Sequence, residues 1–171
     1  QAKEGAYYTP RNLAMLAVDQ AFLASPDPLN EVIFDGACGS GILLTTAYRR
    51  LLALQEARVG RQLGLAERGD LLKRRIFGGD INFMACRVTA FSLYLSLLEG
   101  LDPADILEAQ ERDGTKLPPL KDSNLAHGSE QGDFFREAHA FGGRRFSLII
   151  SNPPWAEPEG ASRTSADDWA E

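Results

Sequence analysis

Two short apolar segments, each ending in an aspartate, constrain the fold of this chain more than any other feature. Residues 32–34 are β-branched or aromatic and precede Asp35, and residues 76–79, Ile-Phe-Gly-Gly, precede Asp80. Short apolar runs bounded by turn residues predict buried strands. A helix-forming stretch follows each segment, and alternating strands and helices predict a mostly parallel α/β sheet with helices on both faces.

Two further strands complete the predicted sheet. Residues 146–150 form the clearest apolar strand of the chain, and residues 124–126 form a weaker one. Because prolines follow the strand at 146–150, the chain must leave the sheet there. The sequence therefore predicts four strands, with the sheet stopping at the fourth.

The helices are predicted from spacing and capping signals. Thr9 is a suitable N-cap and Pro10 suits a first turn, so a helix is expected from there to Ser25. Further helices are expected over 42–59 and 102–112, with a loop or broken helix at 60–70. Asn82 can cap another helix, which Gly100 closes. Its predicted core face consists of Ala85, Val88, Phe91, Leu95 and Leu98.

Composition limits the classes of protein to which the chain can belong. Its 171 residues are about one domain's length, and no apolar run approaches the roughly 18 residues of a membrane span. Two cysteines are too few for a disulfide framework or a zinc site, which predicts a reducing cytoplasm and no metal site. Taken alone, the net charge of −6 argues against a nucleic-acid partner.

A glycine-rich turn, DGACGSG at 35–41, connects the first strand to its helix. Such a turn lets the backbone approach a ligand closely at the carboxyl ends of the strands. The spacing is not that of a dinucleotide-binding turn, and no P-loop lysine follows Gly41. Asp80 ends the second strand, where a carboxylate can accept hydrogen bonds from ribose hydroxyls. Together these features favour a nucleoside-like ligand, and Cys38 is expected to serve packing.

The most informative segment is Asn152-Pro153-Pro154-Trp155, directly after the fourth strand. Two prolines stiffen the turn, so that the Asn152 side chain and the Pro153 carbonyl can direct acceptors at one point. Two such acceptors would hold an amino group, and Trp155 offers a flat face for a planar base. Stacking of that kind contributes about 1–3 kcal/mol per base.

With these motifs in this order, the chain resembles the N6-adenine DNA methyltransferases, S-adenosylmethionine-dependent enzymes of restriction–modification systems. Residues 5–10, GAYYTP, resemble the opening motif that holds the methionine end of the cofactor. Residues 35–41 resemble the glycine-rich motif, although Gly36 stands where the family usually has proline. The resemblance implies cofactor-binding roles for Tyr8, Thr9, Pro10, Asp35, Ala37, Gly39, Gly41, Asp80 and Ile81.

The third motif of that family, whose acid contacts adenine, has two candidate positions. Asp133 and Phe134 fit the motif's pattern, but the strand near Leu125 would more naturally deliver the Gly128-Ser129 turn. We favour Asp133 and Phe134. By the same resemblance, residues 152–155 form the catalytic motif.

The resemblance implies a class I, Rossmann-like domain that transfers a methyl group to the N6 amine of a flipped-out adenine in DNA. Residues 1–156 would form its cofactor-binding and catalytic part, and residues 157–171 a polar tail or loop leading to further C-terminal parts. DNA would be held largely by those parts, and a specificity or restriction subunit is a possible partner. The alternatives are an N5-glutamine protein methyltransferase, an RNA methyltransferase, or a non-catalytic module that binds cofactor or partner subunits.

Overall fold

A computed structural model describes residues 9–121, 123–133, 140–141 and 143–153. They form a four-stranded sheet in the order β3-β2-β1-β4, in which every pairing is parallel. The strands are β1 (Ile33–Asp35), β2 (Ile76–Asp80), β3 (Leu125–His127) and β4 (Leu148–Ile149). The predicted parallel α/β sheet of Rossmann-like type is confirmed.

Six α-helices lie in the described part of the chain. They are α1 (Arg11–Ala24), α2 (Ile42–Val59), α3 (Leu65–Arg75), α4 (Phe83–Leu98), α5 (Pro103–Asp113) and the short α6 (Gly128–Gln131). A single 3-10 turn, Pro28–Asn30, precedes β1. The prediction for α2 agrees with the structure at both ends because glycines lie at both of its caps.

The main core lies between one face of the sheet and helices α1, α2, α3 and α4. Ile33, Ile76 and Leu125 project from three strands into this core and are almost fully buried. The other face carries Phe34 and Phe77, which are covered within the described residues by an aromatic cluster rather than by a helix. In that cluster the rings of Phe34 and Phe146 are stacked, with centroids 4.4 Å apart.

The predicted core face of α4 is wrong. Phe91 is 63% exposed, and Val88 and Leu95 are also exposed, whereas the buried side contains Cys86, Thr89, Leu93, Ser96 and Leu97. The helix is apolar around most of its circumference, so periodicity could not distinguish its two sides. The small Thr89 faces the glycine-rich turn, because α4 approaches Gly41 closely there.

The segment predicted as a loop or broken helix at 60–70 contains most of the first two turns of α3. Arg68 lies in this helix and is only 4% exposed. Its guanidinium donates to the carbonyls of Leu63, Leu97 and Glu99 and pairs with Glu56 at 3.0 Å. Because this arginine binds the end of α4, tertiary contacts stabilise a helix whose own sequence is polar.

No single helix among the described residues is both long and apolar enough to cross a bilayer. Helices α4 and α5 reach that length and composition only together, and the chain bends by 100° between them.

Candidate active site

The candidate site lies where the strand order reverses. Strands β2 and β3 lie on one side of β1, and β4 lies on the other, so β1 and β4 form the switch point of the sheet. In open parallel sheets, ligands bind in the crevice outside the carboxyl ends of such strands. Asp35 ends β1, and Ser151 and Asn152 follow β4. The glycine-rich turn and the Asn-Pro segment therefore meet at one edge.

Asp35 connects the two sides of this switch point. Its Oδ1 accepts hydrogen bonds from the Ser151 hydroxyl at 2.7 Å and from the Ala37 amide at 3.1 Å. The residue is 1% exposed, and its burial raises the pKa of Asp35 from 3.8 to about 6. The two hydrogen bonds oppose that rise, and the nearby carboxylate of Asp80 adds to it. Nothing in the sequence indicated the Ser151 contact.

Asp80 joins the glycine-rich turn to the end of β2. Its Oδ2 accepts from the Gly39 amide at 2.9 Å, and its Oδ1 accepts from the Asn82 amide at 2.8 Å. Asn82 in turn caps α4 by accepting from the amides of Met84 and Ala85, as predicted. Because backbone amides hold both of its oxygens, the carboxylate has a fixed orientation at the strand end.

The glycines of the turn meet two separate requirements. Both Gly39 and Gly41 have positive φ angles, which favour glycine. A Cβ at Gly41 would lie 2.8 Å from Cγ2 of Thr89, so this glycine allows α4 to approach. Among the described residues, a Cβ at Gly39 would have only the Ala37 carbonyl nearby, at 4.0 Å, so these residues leave space beside the turn. Thr89 also donates to the Gly39 carbonyl at 2.9 Å.

Cys38, inside the same turn, serves packing. It belongs to the main core and is buried. Hydrogen bonding with Cys86 and burial hold the pKa of the Cys38 thiol far above its ordinary value. The thiolate needed for nucleophilic attack is therefore strongly disfavoured.

The described residues of both candidates for the third motif follow β3, with the short helix α6 between the strand and Asp133. Gly128 begins α6 directly after the strand, and Gly132 ends that helix. A Cβ at Gly132 would clash with the carbonyl oxygen of Asp80, so this glycine packs against the end of β2. Asp133 follows it and thus lies next to the Asp80 strand end. Ile81, directly after β2, is 62% exposed.

Thr9 is not the N-cap of α1. Pro10 occupies that position, and it makes no side-chain capping bond. The Thr9 hydroxyl instead accepts a hydrogen bond from Asn152 Nδ2 at 3.0 Å. The opening motif therefore reaches the Asn-Pro segment across 143 residues of sequence. Pro153 is described, while the predicted site residues Tyr8, Phe134, Pro154 and Trp155 lie outside the described residues.

An all-parallel sheet of order β3-β2-β1-β4, with a glycine-rich turn after β1, an acid ending β2 and Asn-Pro after β4, defines a Rossmann-like methyltransferase fold. The chain belongs to the N-6 DNA methylase family, which it matches over residues 1–171.

Individual relatives agree with this assignment. The chain is 36% identical over 92 residues to the adenine-specific methyltransferase BrxX of Escherichia coli O9:H4 (strain HS), a match that covers 54% of this chain and 7% of BrxX. It is 26% identical over 155 residues to the type II restriction enzyme and methyltransferase RM.Eco57I of Escherichia coli, covering 77% of this chain and 15% of that protein. The chain thus spans only a small part of these relatives.

A solved structure shows the same fold. The crystal structure of the M protein of the type I restriction enzyme EcoKI matches 95% of this chain and 28% of its own, with a TM-score of 0.54. At 19% sequence identity, this similarity concerns the fold alone.

Proposed function

We propose that the protein containing this chain transfers a methyl group from S-adenosylmethionine to the N6 amine of adenine in DNA. One observation carries the proposal: hydrogen bonds connect the motifs along the carboxyl edge of the sheet. Asp80 binds the Gly39 amide, Ser151 binds Asp35, and Asn152 binds Thr9. These contacts support a single site in which a cofactor and an amine substrate meet.

The edge between β1 and β2 suits the cofactor. The space that the described residues leave beside Gly39 would admit a ligand against the backbone, and the fixed Asp80 carboxylate can accept hydrogen bonds from ribose hydroxyls. The exposed Ile81 side chain offers an apolar contact for the adenine ring of the cofactor. When bound, S-adenosylmethionine supplies an already activated methyl group, so the chain's task is to position the reactants.

We further propose roles for the remaining predicted residues of the cofactor site. Asp133 and Phe134 would contact the cofactor adenine, since Gly132 packs against the end of β2. Tyr8 and Pro10 of the opening motif would contact the methionine end.

Asn152 and Pro153 would orient the substrate amine. An amide oxygen and a carbonyl oxygen can each accept one N–H of an amino group and stabilise the positive charge that develops on nitrogen. Since this amine is inaccessible within a duplex, the base must leave the stack, which costs a few kcal/mol. Trp155, with Pro154 stiffening the turn, would offset part of that cost by stacking on the base.

We propose adenine in DNA as the substrate for two reasons. The family is named for N-6 methylation of DNA, and the name of one relative specifies adenine. BrxX is an adenine-specific methyltransferase, and RM.Eco57I and EcoKI are restriction enzymes. We therefore also propose that a restriction or specificity component accompanies the protein. Residues 1–156 would be the cofactor-binding and catalytic part, with 157–171 leading to further parts that hold DNA.

The test is Asn152→Ala in the full-length protein, assayed for N6-methyladenine in DNA by mass spectrometry and for cofactor binding by calorimetry. We expect methylation to be lost while S-adenosylmethionine affinity stays within about 3-fold of the wild type. Asn30→Ala is a matched control, because Asn30 precedes β1 at the opposite edge of the sheet and binds Arg75. Methylation that persists in Asn152→Ala would refute the proposed function.

A further inference from the structure

In the hydrogen bond between Thr9 and Asn152, the asparagine amide is the donor and the threonine hydroxyl is the acceptor. Asn152 Nδ2 donates to the Thr9 hydroxyl oxygen across 3.0 Å. Thr9 lies just before α1 and is partly buried, and Asn152 lies just after β4. The hydrogen bond therefore connects the start of the described chain with the segment that would hold the substrate.

We infer that Thr9 is a positioning residue, whose hydroxyl orients the Asn152 amide so that Oδ1 faces the substrate amine. This inference rests on the proposed function and adds a residue to its catalytic arrangement. It differs from the role that the family resemblance gives to Thr9, which is contact with the methionine end of the cofactor.

The physical reason is the near-symmetry of an amide group. The oxygen and the amino nitrogen of asparagine have almost the same size, so packing distinguishes the two orientations poorly and hydrogen bonds set the orientation. A hydroxyl can accept from Nδ2 or donate to Oδ1, and in this structure Thr9 accepts from Nδ2. A substrate amine is a donor and requires Oδ1. With Nδ2 bound to the Thr9 oxygen, a chain of hydrogen bonds from the amine through the amide to Thr9 runs in one direction, and each bond polarises the next.

The flipped amide would be unproductive. Its Nδ2 would face the amino group of the substrate, and two donors would meet. Thr9 thus holds the amide in place before the base arrives, which shortens the search for a reactive geometry. A hydroxyl at position 9 is sufficient for this role, so serine should replace threonine there.

The experiment compares Thr9→Val, Thr9→Ser and the control Thr46→Val in the full-length protein. Valine keeps the shape of threonine but removes the hydroxyl, and Thr46 on α2 donates to its own helix, at the Ile42 carbonyl. We expect Thr9→Val to lower kcat and the single-turnover rate roughly 3- to 10-fold, typical of one lost neutral hydrogen bond. KM for DNA and Kd for S-adenosylmethionine should stay constant, and Thr9→Ser and Thr46→Val should match the wild type.

Each outcome has one meaning. Weaker cofactor binding with an unchanged single-turnover rate would overturn the inference and assign Thr9 to the cofactor site. An unchanged Thr9→Val enzyme would overturn it as well, and so would a Thr9→Ser enzyme as slow as Thr9→Val.

Two further measurements distinguish a failure of this inference from misfolding of the variant and from a failure of the proposed function. Thermal unfolding of each variant checks the fold, and the single-turnover rate of folded protein at saturating cofactor remains decisive even if Thr9→Val is less stable. If Asn152→Ala also retains methylation, the proposed function itself fails. Loss of methylation in Asn152→Ala with a normal Thr9→Val rejects only the role of Thr9.

Discussion

Asp35 is a buried carboxyl group at the centre of the proposed site, and replacing it with asparagine tests the electrostatics of this edge. Its two described hydrogen bonds both reach Oδ1, from Ser151 and from Ala37. Asparagine has an oxygen that can accept both of them. The variant therefore removes the charge while retaining these contacts, so that any change in stability reports mainly on that charge.

The magnitude follows from the pKa. A rise from 3.8 in the unfolded chain to about 6 in the folded protein corresponds to roughly 3 kcal/mol, at 1.36 kcal/mol for each pKa unit. Between pH 3.8 and 6 the folded state binds more protons than the unfolded state, so stability falls as pH rises. The contribution of the protonated group is fully present below pH 3.8 and is lost as pH rises through about 6. Above about pH 7 the folded protein carries a buried charge that opposes folding.

We therefore expect Asp35→Asn to be more stable than the wild type at about pH 7.5, by up to about 3 kcal/mol. The difference should shrink as pH falls through about 6 and approach zero below about pH 3.8, where the carboxyl group is protonated in the folded and the unfolded protein alike. The assay is a urea series at several pH values, read by hydrogen exchange of peptides from β1 and α2, so that the transition is assigned to this sheet.

Asp70→Asn is the matched control, since Asp70 is exposed on α3. The free energy of unfolding of Asp70→Asn should stay within about 0.5 kcal/mol of the wild-type value at every pH. The reasoning is refuted if Asp35→Asn and the wild type differ in free energy of unfolding by the same amount at the highest and the lowest pH. A buried ionised carboxylate would then not limit the stability of this edge.

Two further predictions concern the cofactor edge and the core. Asp80→Ala should weaken S-adenosylmethionine binding in calorimetry by roughly 10- to 100-fold, the effect of losing hydrogen bonds to a charged acceptor, and unchanged affinity would contradict its ribose role. Gly78→Ala should destabilise the protein by about 1–3 kcal/mol in urea denaturation, because its Cβ would lie 2.7 Å from Leu44 Cδ1 in the core. Gly69→Ala should instead stabilise α3 by about 0.5–1 kcal/mol, because its Cβ would meet Pro118 at an ordinary 3.6 Å. Equal effects of the two alanines would argue against the overpacking explanation.

The elements that the sequence predicted well are those whose signals are local. Helix α2 begins and ends at glycine caps, and Asn82 caps α4 through its own side chain. Helix α3 was missed because its sequence is polar and contains Gly69, and because the contacts of Arg68 with the end of α4 are distant in sequence. The buried side of α4 was wrongly predicted because apolar residues occur around the helix.

The sequence by itself determined the parts of the site and their order along the chain. Proline cannot continue a central strand, glycines permit positive φ, and apolar runs end at Asp35 and Asp80, so each motif was predicted to lie at the end of a strand. These are properties of a few neighbouring residues and do not depend on the rest of the fold.

Only the tertiary structure decided which of these parts touch. Strand β4 pairs with β1, and this pairing brings Ser151 to Asp35, which is 116 residues away in sequence. The start of α1 lies near the end of β4, which brings Thr9 to Asn152. Gly132 packs against the Asp80 carbonyl for a similar reason. Such contacts depend on strand order and on the path of connecting segments, which the spacing of motifs along the chain does not encode.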